Sequence, residues 1–276
     1  MSRYSKLNPI FLWLTSKLKP IFLWLNRYTP PRALFQSIFC GYLEANDGVY
    51  TFYNEATDAK KRQALSTVGH IKSETEILNF SDIEACQLSA LVDATAKIEG
   101  DVAEVGTYKG GSAKIICEGK GDRPLHLFDT FEGLPEVNKE LDKSSAFIRY
   151  DSNSSLTQYA VGQFAAPLEI ITNYLKKYPN VFFYKGIFPS TATPIKGKKF
   201  SFVHLDVDTY TSTLSCLEFF YPRMNKGGII LSHDYLRAVG LTKAFDEFFE
   251  GRPEPIISLT GKQCLIMKLS DCEMSD

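Results

Sequence analysis

Asp101-Val102-Ala103-Glu104-Val105-Gly106-Thr107-Tyr108-Lys109-Gly110-Gly111-Ser112 is the stretch on which the fold turns. A short run rich in Val, Asp101 to Val105, predicts a strand. The glycines after it predict a tight turn, and the residues through Glu118 predict a helix. The same rhythm recurs downstream. Leu125 to Phe128 predicts a second strand ending in Asp129, and Val181 to Tyr184 a third. Phe200 to Leu205 predicts a fourth, ending in Asp206, and Gly228 to Leu231 a fifth, ending near His233 and Asp234. Strands alternating with helices imply a parallel sheet. The last segments break the pattern: Ile256 to Leu259 and Cys264 to Lys268 flank Thr260-Gly261-Lys262 and predict a terminal hairpin. The expected fold is an α/β, Rossmann-like, mostly parallel sheet with an antiparallel terminal strand.

Upstream, Ser81 predicts a helix N-cap with Glu84 completing a capping box, and the helix runs to about Ile98, burying Ile83, Leu88, Leu91 and Val92. Residues 1–79 show no βα unit and read as an N-terminal helical extension to a domain spanning 80–276. Within it, Leu7-Asn8-Pro9-Ile10-Phe11-Leu12-Trp13-Leu14 is nearly repeated eleven positions later as Leu18-Lys19-Pro20-Ile21-Phe22-Leu23-Trp24-Leu25. Lys17, Lys19 and Pro20 interrupt the apolar run, which argues against a membrane-spanning helix. A helical hairpin against the domain or a second subunit, and a peripheral membrane anchor with snorkelling lysines, both stay open. Pro30-Pro31 precedes a helical-looking stretch from Arg32 to Glu44. The net charge of −1 gives no basic surplus for nucleic acid. The scattered cysteines, with no C-x-x-C, fit a reducing cytoplasm. The polar stretch from Glu136 to Gln158 reads as a lid or binding loop.

Ligands of open α/β sheets sit beyond the carboxyl ends of the strands. After the first strand, Tyr108 stands where the dinucleotide fingerprint has its second glycine, which crowds a pyrophosphate and disfavours NAD. S-adenosylmethionine has no phosphates. Its carboxylate suits the turn Gly106-Thr107-Tyr108 and the helix start at Gly111 and Ser112, and Glu104 suits its ammonium. Asp129 suits the ribose hydroxyls, with Phe131 walling the adenosine pocket. These residues are the candidate cofactor site.

The fourth and fifth strands end in Leu205-Asp206-Val207-Asp208 and Ser232-His233-Asp234-Tyr235. Neighbouring carboxylates repel unless a proton or cation intervenes. Three ligands, Asp206, His233 and Asp234, would hold a divalent cation, leaving Asp208 free to take a proton from an acceptor hydroxyl.

Together these residues resemble the macrocin O-methyltransferase (TylF-like) family, over roughly Thr67 to Phe249. The resemblance is carried by Glu104-Val105-Gly106 with Gly110-Gly111-Ser112, by Phe128 to Pro135, by Gly186-Ile187-Phe188, by Leu205 to Thr213, by Tyr221-Pro222 with Gly227-Gly228, and by His233-Asp234-Tyr235. It implies a class I methyltransferase fold, S-adenosylmethionine with Mg²⁺ as the usual cofactors, a sugar or other hydroxylated natural product as acceptor, and a homo-oligomer, commonly a dimer. It makes Asp206 a metal ligand and Asp208 the general base. The family typically has two aspartates where this chain has His233-Asp234. So either another metal binds, or His233 lies outside the shell, or the site is metal-free with His233 as a catalytic base. An NAD-linked sugar-modifying enzyme and a catalytically silent scaffold are the competing readings.

Overall fold

The computed structural model describes residues 59–74, 80–145 and 155–270. The eleven-residue repeat and the Arg32 to Glu44 stretch lie outside the described residues. Two helices come first, α1 (Ala59–Glu74) and α2 (Asp82–Ala94). Then follow β1 (Asp101–Val105), α3 (Gly111–Gly119), β2 (Leu125–Asp129), β3 (Lys143–Ser145), β4 (Leu156–Gln158), α4 (Leu168–Leu175) and β5 (Val181–Lys185). The chain continues with β6 (Phe200–Leu205), α5 (Tyr210–Phe220), β7 (Met224–Ser232), α6 (Val239–Phe249), β8 (Ile257–Ser258) and β9 (Cys264–Met267).

Seven strands form one sheet in the order β5-β2-β1-β6-β7-β9-β8. The five strands from β5 to β7 are parallel, and β9 runs antiparallel to both β7 and β8. The chain moves from β1 outward to β2 and β5, then crosses back to β6. The carboxyl ends of β1 and β6 therefore flank the point where strand order reverses, which is where such sheets open a crevice.

Apolar side chains alternate between the two faces, as the pleat requires. Leu125, Leu127, Phe202 and Leu231 pack with α1 to α4 through Ile71, Leu88, Ile116 and Ile171. Ala103, Val203, Leu205 and Ile230 pack with α5 and α6 through Leu217, Phe220, Leu241 and Phe245. The result is a three-layer α/β/α arrangement.

The capping box forms: Ser81 Oγ accepts from the Glu84 amide, and Glu84 Oε2 accepts from the Ser81 amide at 2.8 Å. Helix α2 stops at Ala94 rather than near Ile98, because the Thr95 hydroxyl donates back to Leu91 and Val92 carbonyls. Ile83 and Leu91 are half-buried, while Leu88 and Val92 are fully buried as expected. Strand β7 begins at Met224, earlier than Gly228, since Met224 pairs with Phe200 before the register shifts. The Glu136 to Gln158 stretch is not wholly irregular: β3, within it, and β4, at its end, pair as a small antiparallel ribbon. Helix α1 packs on α2 and α3. Among the described residues no helix is long and apolar enough to cross a membrane.

Candidate active site

A cleft of about 280 Å³ opens where β1 and β6 end. Its floor is a set of strained turns. Tyr108, Phe131, Asp208 and Asp234 all have positive φ, at 46°, 57°, 60° and 60°, and each follows the end of a different parallel strand. Left-handed backbone costs a non-glycine residue about 1–2 kcal/mol, so the surrounding bonds must hold it. Gly106 is needed for a different reason from ligand approach. A Cβ there would sit 1.9 Å from the Asp206 carbonyl oxygen, so the β1 turn and the end of β6 touch backbone to backbone. Thr107, Tyr108, Gly111 and Ser112 line the cleft with Gly106. The first turn of α3 has no side-chain cap, because Gly110 stands at its N-cap, and its residues Gly111 and Ser112 line the cleft. Thr107 Oγ1 is buried without a hydrogen-bond partner, which fits a polar ligand at this turn.

Asp129 lines the cleft, and most of its carboxylate is engaged. Oδ2 accepts from the Thr107 and Tyr108 amides at 2.8 and 2.9 Å, and Oδ1 from the Phe131 amide at 2.7 Å. The Thr130 hydroxyl also approaches Oδ1, at 3.4 Å, but its proton goes to the Gly133 carbonyl at 2.6 Å, so of the roughly four acceptor positions of a carboxylate one stays open to a ligand. Two expected cofactor residues are elsewhere. Phe131 turns into the core beside Ala166 and Ile171 instead of walling the cleft. Glu104 is wholly buried and is not a cleft residue. Strand alternation puts it on the α2 side, opposite His204 in the β1–β6 register, and His204 Nδ1 lies 2.8 Å from Glu104 Oε1. Burial raises the Glu104 pKa, and His204 only partly offsets this.

The acidic cluster converges as its strand ends predict. Asp206, Asp208, His233 and Asp234 all line the cleft. His233 Nδ1 lies 3.1 Å from Asp234 Oδ2 and 3.4 Å from Asp206 Oδ1. Lys262 Nζ is 3.4 Å, and Arg237 Nη1 3.7 Å, from Asp234 Oδ1. Burial pushes the Asp208 carboxyl up, and the Asp234 and Asp206 charges push it further, to about 8. Burial works to lower the His233 pKa, but Asp234 and Asp206 outweigh it and raise it well above the usual imidazole value. For Asp234 burial is likewise outweighed, here by His233, Lys262 and Arg237, and its pKa is lowered.

The sequence profile of the macrocin O-methyltransferase (TylF) family matches residues 30–260. The chain belongs to this family. Among curated relatives, the 8-demethyl-8-(2,3-dimethoxy-alpha-L-rhamnosyl)-tetracenomycin-C 4'-O-methyltransferase of Streptomyces olivaceus is 28% identical, over 66% of this chain and 70% of its own length. The mycinamicin III 3''-O-methyltransferase of Micromonospora griseorubida is 27% identical, over 61% of this chain and 66% of its own length. The chain thus spans about two thirds of the length of each. The solved structure of the O-methyltransferase NovP shares the fold, with a TM-score of 0.54 at 20% identity over 69% of this chain and 83% of its own.

Against that family background, the roof and back wall of the cleft hold residues that sequence reasoning missed. Tyr159, from just beyond β4, lines the cleft with Asp208 and Ser144, and its hydroxyl favours the ionised form of Asp208. The roof is tied down by Asp142, whose Oδ1 accepts from the Tyr210 amide at 2.8 Å, and by Arg237 Nε donating to the Ser145 carbonyl. Behind His233, Phe80 stacks on the ring at 4.7 Å. Glu84 Oε1 accepts from the Lys262 amide at 2.7 Å and lies 3.7 Å from His233 Nε2. Burial works to raise the Glu84 pKa, but His233 and Lys262 hold it down at about 2. The capping box marks Glu84 in the sequence; its reach to the terminal hairpin is a tertiary property with no local signal.

Proposed function

We propose that this protein transfers the methyl group of S-adenosylmethionine to a hydroxyl of a sugar-bearing small molecule. The observation that carries the reading is the meeting, in one cleft, of a polar glycine turn backed by Asp129 with a buried carboxylate, Asp208, whose pKa is raised to about 8. The cofactor supplies an electrophilic methyl carbon and a thioether leaving group. The residues of the turn and the uncapped start of α3 bind its carboxylate, and the remaining acceptor position of Asp129 takes a ribose hydroxyl. Glu104 serves this end indirectly, by anchoring β1 to β6 through His204.

Asp208 accepts the proton of the acceptor hydroxyl as its oxygen attacks the methyl carbon. An aspartate with a pKa near neutrality is a far better proton acceptor than an ordinary one. Tyr159 orients it. The donor atoms of Asp206, His233 and Asp234 lie within 4.8 Å of one another, a spacing that suits one cation. A divalent cation held there would supply Lewis acidity toward the acceptor hydroxyl. The stretch from Glu136 to Gln158 selects the acceptor, and the activities that the relatives' names give, on a rhamnosyl-tetracenomycin and on mycinamicin III, support a sugar-bearing small molecule as the class.

The test is a titration with S-adenosylhomocysteine followed by a labelled-methyl assay on a panel of deoxysugar-bearing acceptors. Binding by the wild type, with turnover lost in Asp208→Asn while binding persists, is the expected outcome. A well-folded chain that binds no S-adenosylhomocysteine sinks the proposal.

A further inference from the structure

The donor set at the ends of β6 and β7 is not an all-oxygen one. Imidazole belongs to it by position: His233 Nδ1 faces Asp206 and Asp234, at 3.4 and 3.1 Å, rather than turning away from them. The other ring nitrogen faces a carboxylate outside the cluster, Glu84 Oε1, at 3.7 Å. Glu84 is itself fixed by the Ser81 and Lys262 amides, and Phe80 stacks on the ring and holds its plane. At 3.7 Å the Glu84 contact is longer than a hydrogen bond, and without an ion the near nitrogen bonds Asp234 Oδ2 at 3.1 Å. A cation at Nδ1 would displace the proton there and leave the ring's proton on Nε2, facing the Glu84 carboxylate.

The surroundings of the imidazole point the same way. Glu84, Asp206 and Asp234 all face it, and Lys262 and Arg237 lie against Asp234 Oδ1. A cation among the donor atoms of Asp206, His233 and Asp234 relieves the repulsion between the carboxylates. The identity of that cation follows from the donors. Mg²⁺ holds to oxygen ligands and keeps its waters, whereas first-row transition dications take imidazole and carboxylate together.

We propose that Asp206, His233 and Asp234 hold a first-row transition dication in preference to Mg²⁺. This rests on the methyltransferase reading of the cleft and specifies the ion that reading leaves open. It assigns Glu84 and Phe80 as positioning residues for the imidazole.

The experiment uses the full chain, stripped with EDTA and dialysed, titrated calorimetrically with MgCl₂ and with CoCl₂. Visible absorption of the Co²⁺ form reports nitrogen ligation directly, apart from any turnover. Co²⁺ is expected to bind at least about tenfold more tightly than Mg²⁺. His233→Asp, which makes the donor set all oxygen, is expected to narrow that preference and shift the Co²⁺ bands. Equal affinities in the wild type overturn the proposal, and so does the failure of Co²⁺ to bind. A His233→Asp protein with an unchanged preference overturns it too. The wild-type comparison decides even if the variant does not fold. S-adenosylhomocysteine titration of the same samples separates the two readings. Cofactor binding without a Co²⁺ preference sinks the metal assignment alone, whereas a folded chain that binds no cofactor sinks the methyltransferase reading.

Discussion

Replacing Asp208 with Asn should abolish turnover and stabilise the ion-free protein. In the folded chain the Asp208 carboxyl holds its proton up to about pH 8, against an ordinary value of 3.8. Between those values the folded state binds a proton that the unfolded state has released, so stability falls as pH rises through that window. Below about pH 4 both states are protonated and the loss vanishes. At pH 7 the loss is about 4 kcal/mol, at 1.36 kcal/mol per pH unit, and it levels off above pH 8. Asparagine keeps the shape and has no proton to lose. At about 2–4 °C per kcal/mol for a chain near this size, Asp208→Asn in EDTA should melt at least 5 °C above wild type at pH 8, and close to it at pH 4. Removing a general base typically costs about 10²–10⁴ in rate. Thermal melts of both proteins from pH 4 to 9, with a methyl-transfer assay beside them, make the check. A variant that melts at or below wild type throughout, or a difference that does not grow with pH, refutes the reasoning.

Gly106→Ala puts a Cβ 1.9 Å from the Asp206 carbonyl oxygen at a φ of 89°, so it should lose about 2–5 kcal/mol and most of its S-adenosylhomocysteine affinity, read by melts and calorimetry. Asp129→Asn replaces an acceptor that serves three amides with one that turns an NH₂ toward them. Its cofactor Kd should rise about tenfold or more, matching a loss of 1–3 kcal/mol, and an unchanged Kd would remove Asp129 from the binding site. The Tyr159 hydroxyl favours ionised Asp208, so Tyr159→Phe should move the ionisation seen in kcat/KM to higher pH by about one unit, and a superimposable profile would exclude that contact.

Most of the sheet could be read from the chain because each strand is a short apolar run closed by a turn. The rule that ligands gather beyond strand ends then placed Asp129, Asp206, Asp208, His233 and Asp234 together. Glu104 escaped that rule, because being near a strand end says nothing about which face the side chain takes. Its partner His204 is a hundred residues away in the chain, though adjacent in the sheet. Phe131 lies in a turn whose positive φ swings the ring into the core, and nothing in the spacing announces that. Tyr159 sits in a stretch too polar and irregular for periodicity to read. Helix ends were misplaced where a hydroxyl, as at Thr95, competes with the helical carbonyls.

The way the roof is fastened gives the pocket a fixed half and an exchangeable half. The floor is locked, since the Gly106 turn and the Asp206 carbonyl leave no room for a side chain between them. The roof meets the rest of the cleft through a few backbone and side-chain bonds at Asp142, Ser144 and Ser145. The sequence between Ser145 and Tyr159 can therefore be exchanged without touching the floor. A chimera that keeps Asp142, the Ser144–Ala238 bridge and Tyr159 but carries a relative's sequence between Ser145 and Tyr159 is expected to change its acceptor choice while keeping its cofactor affinity.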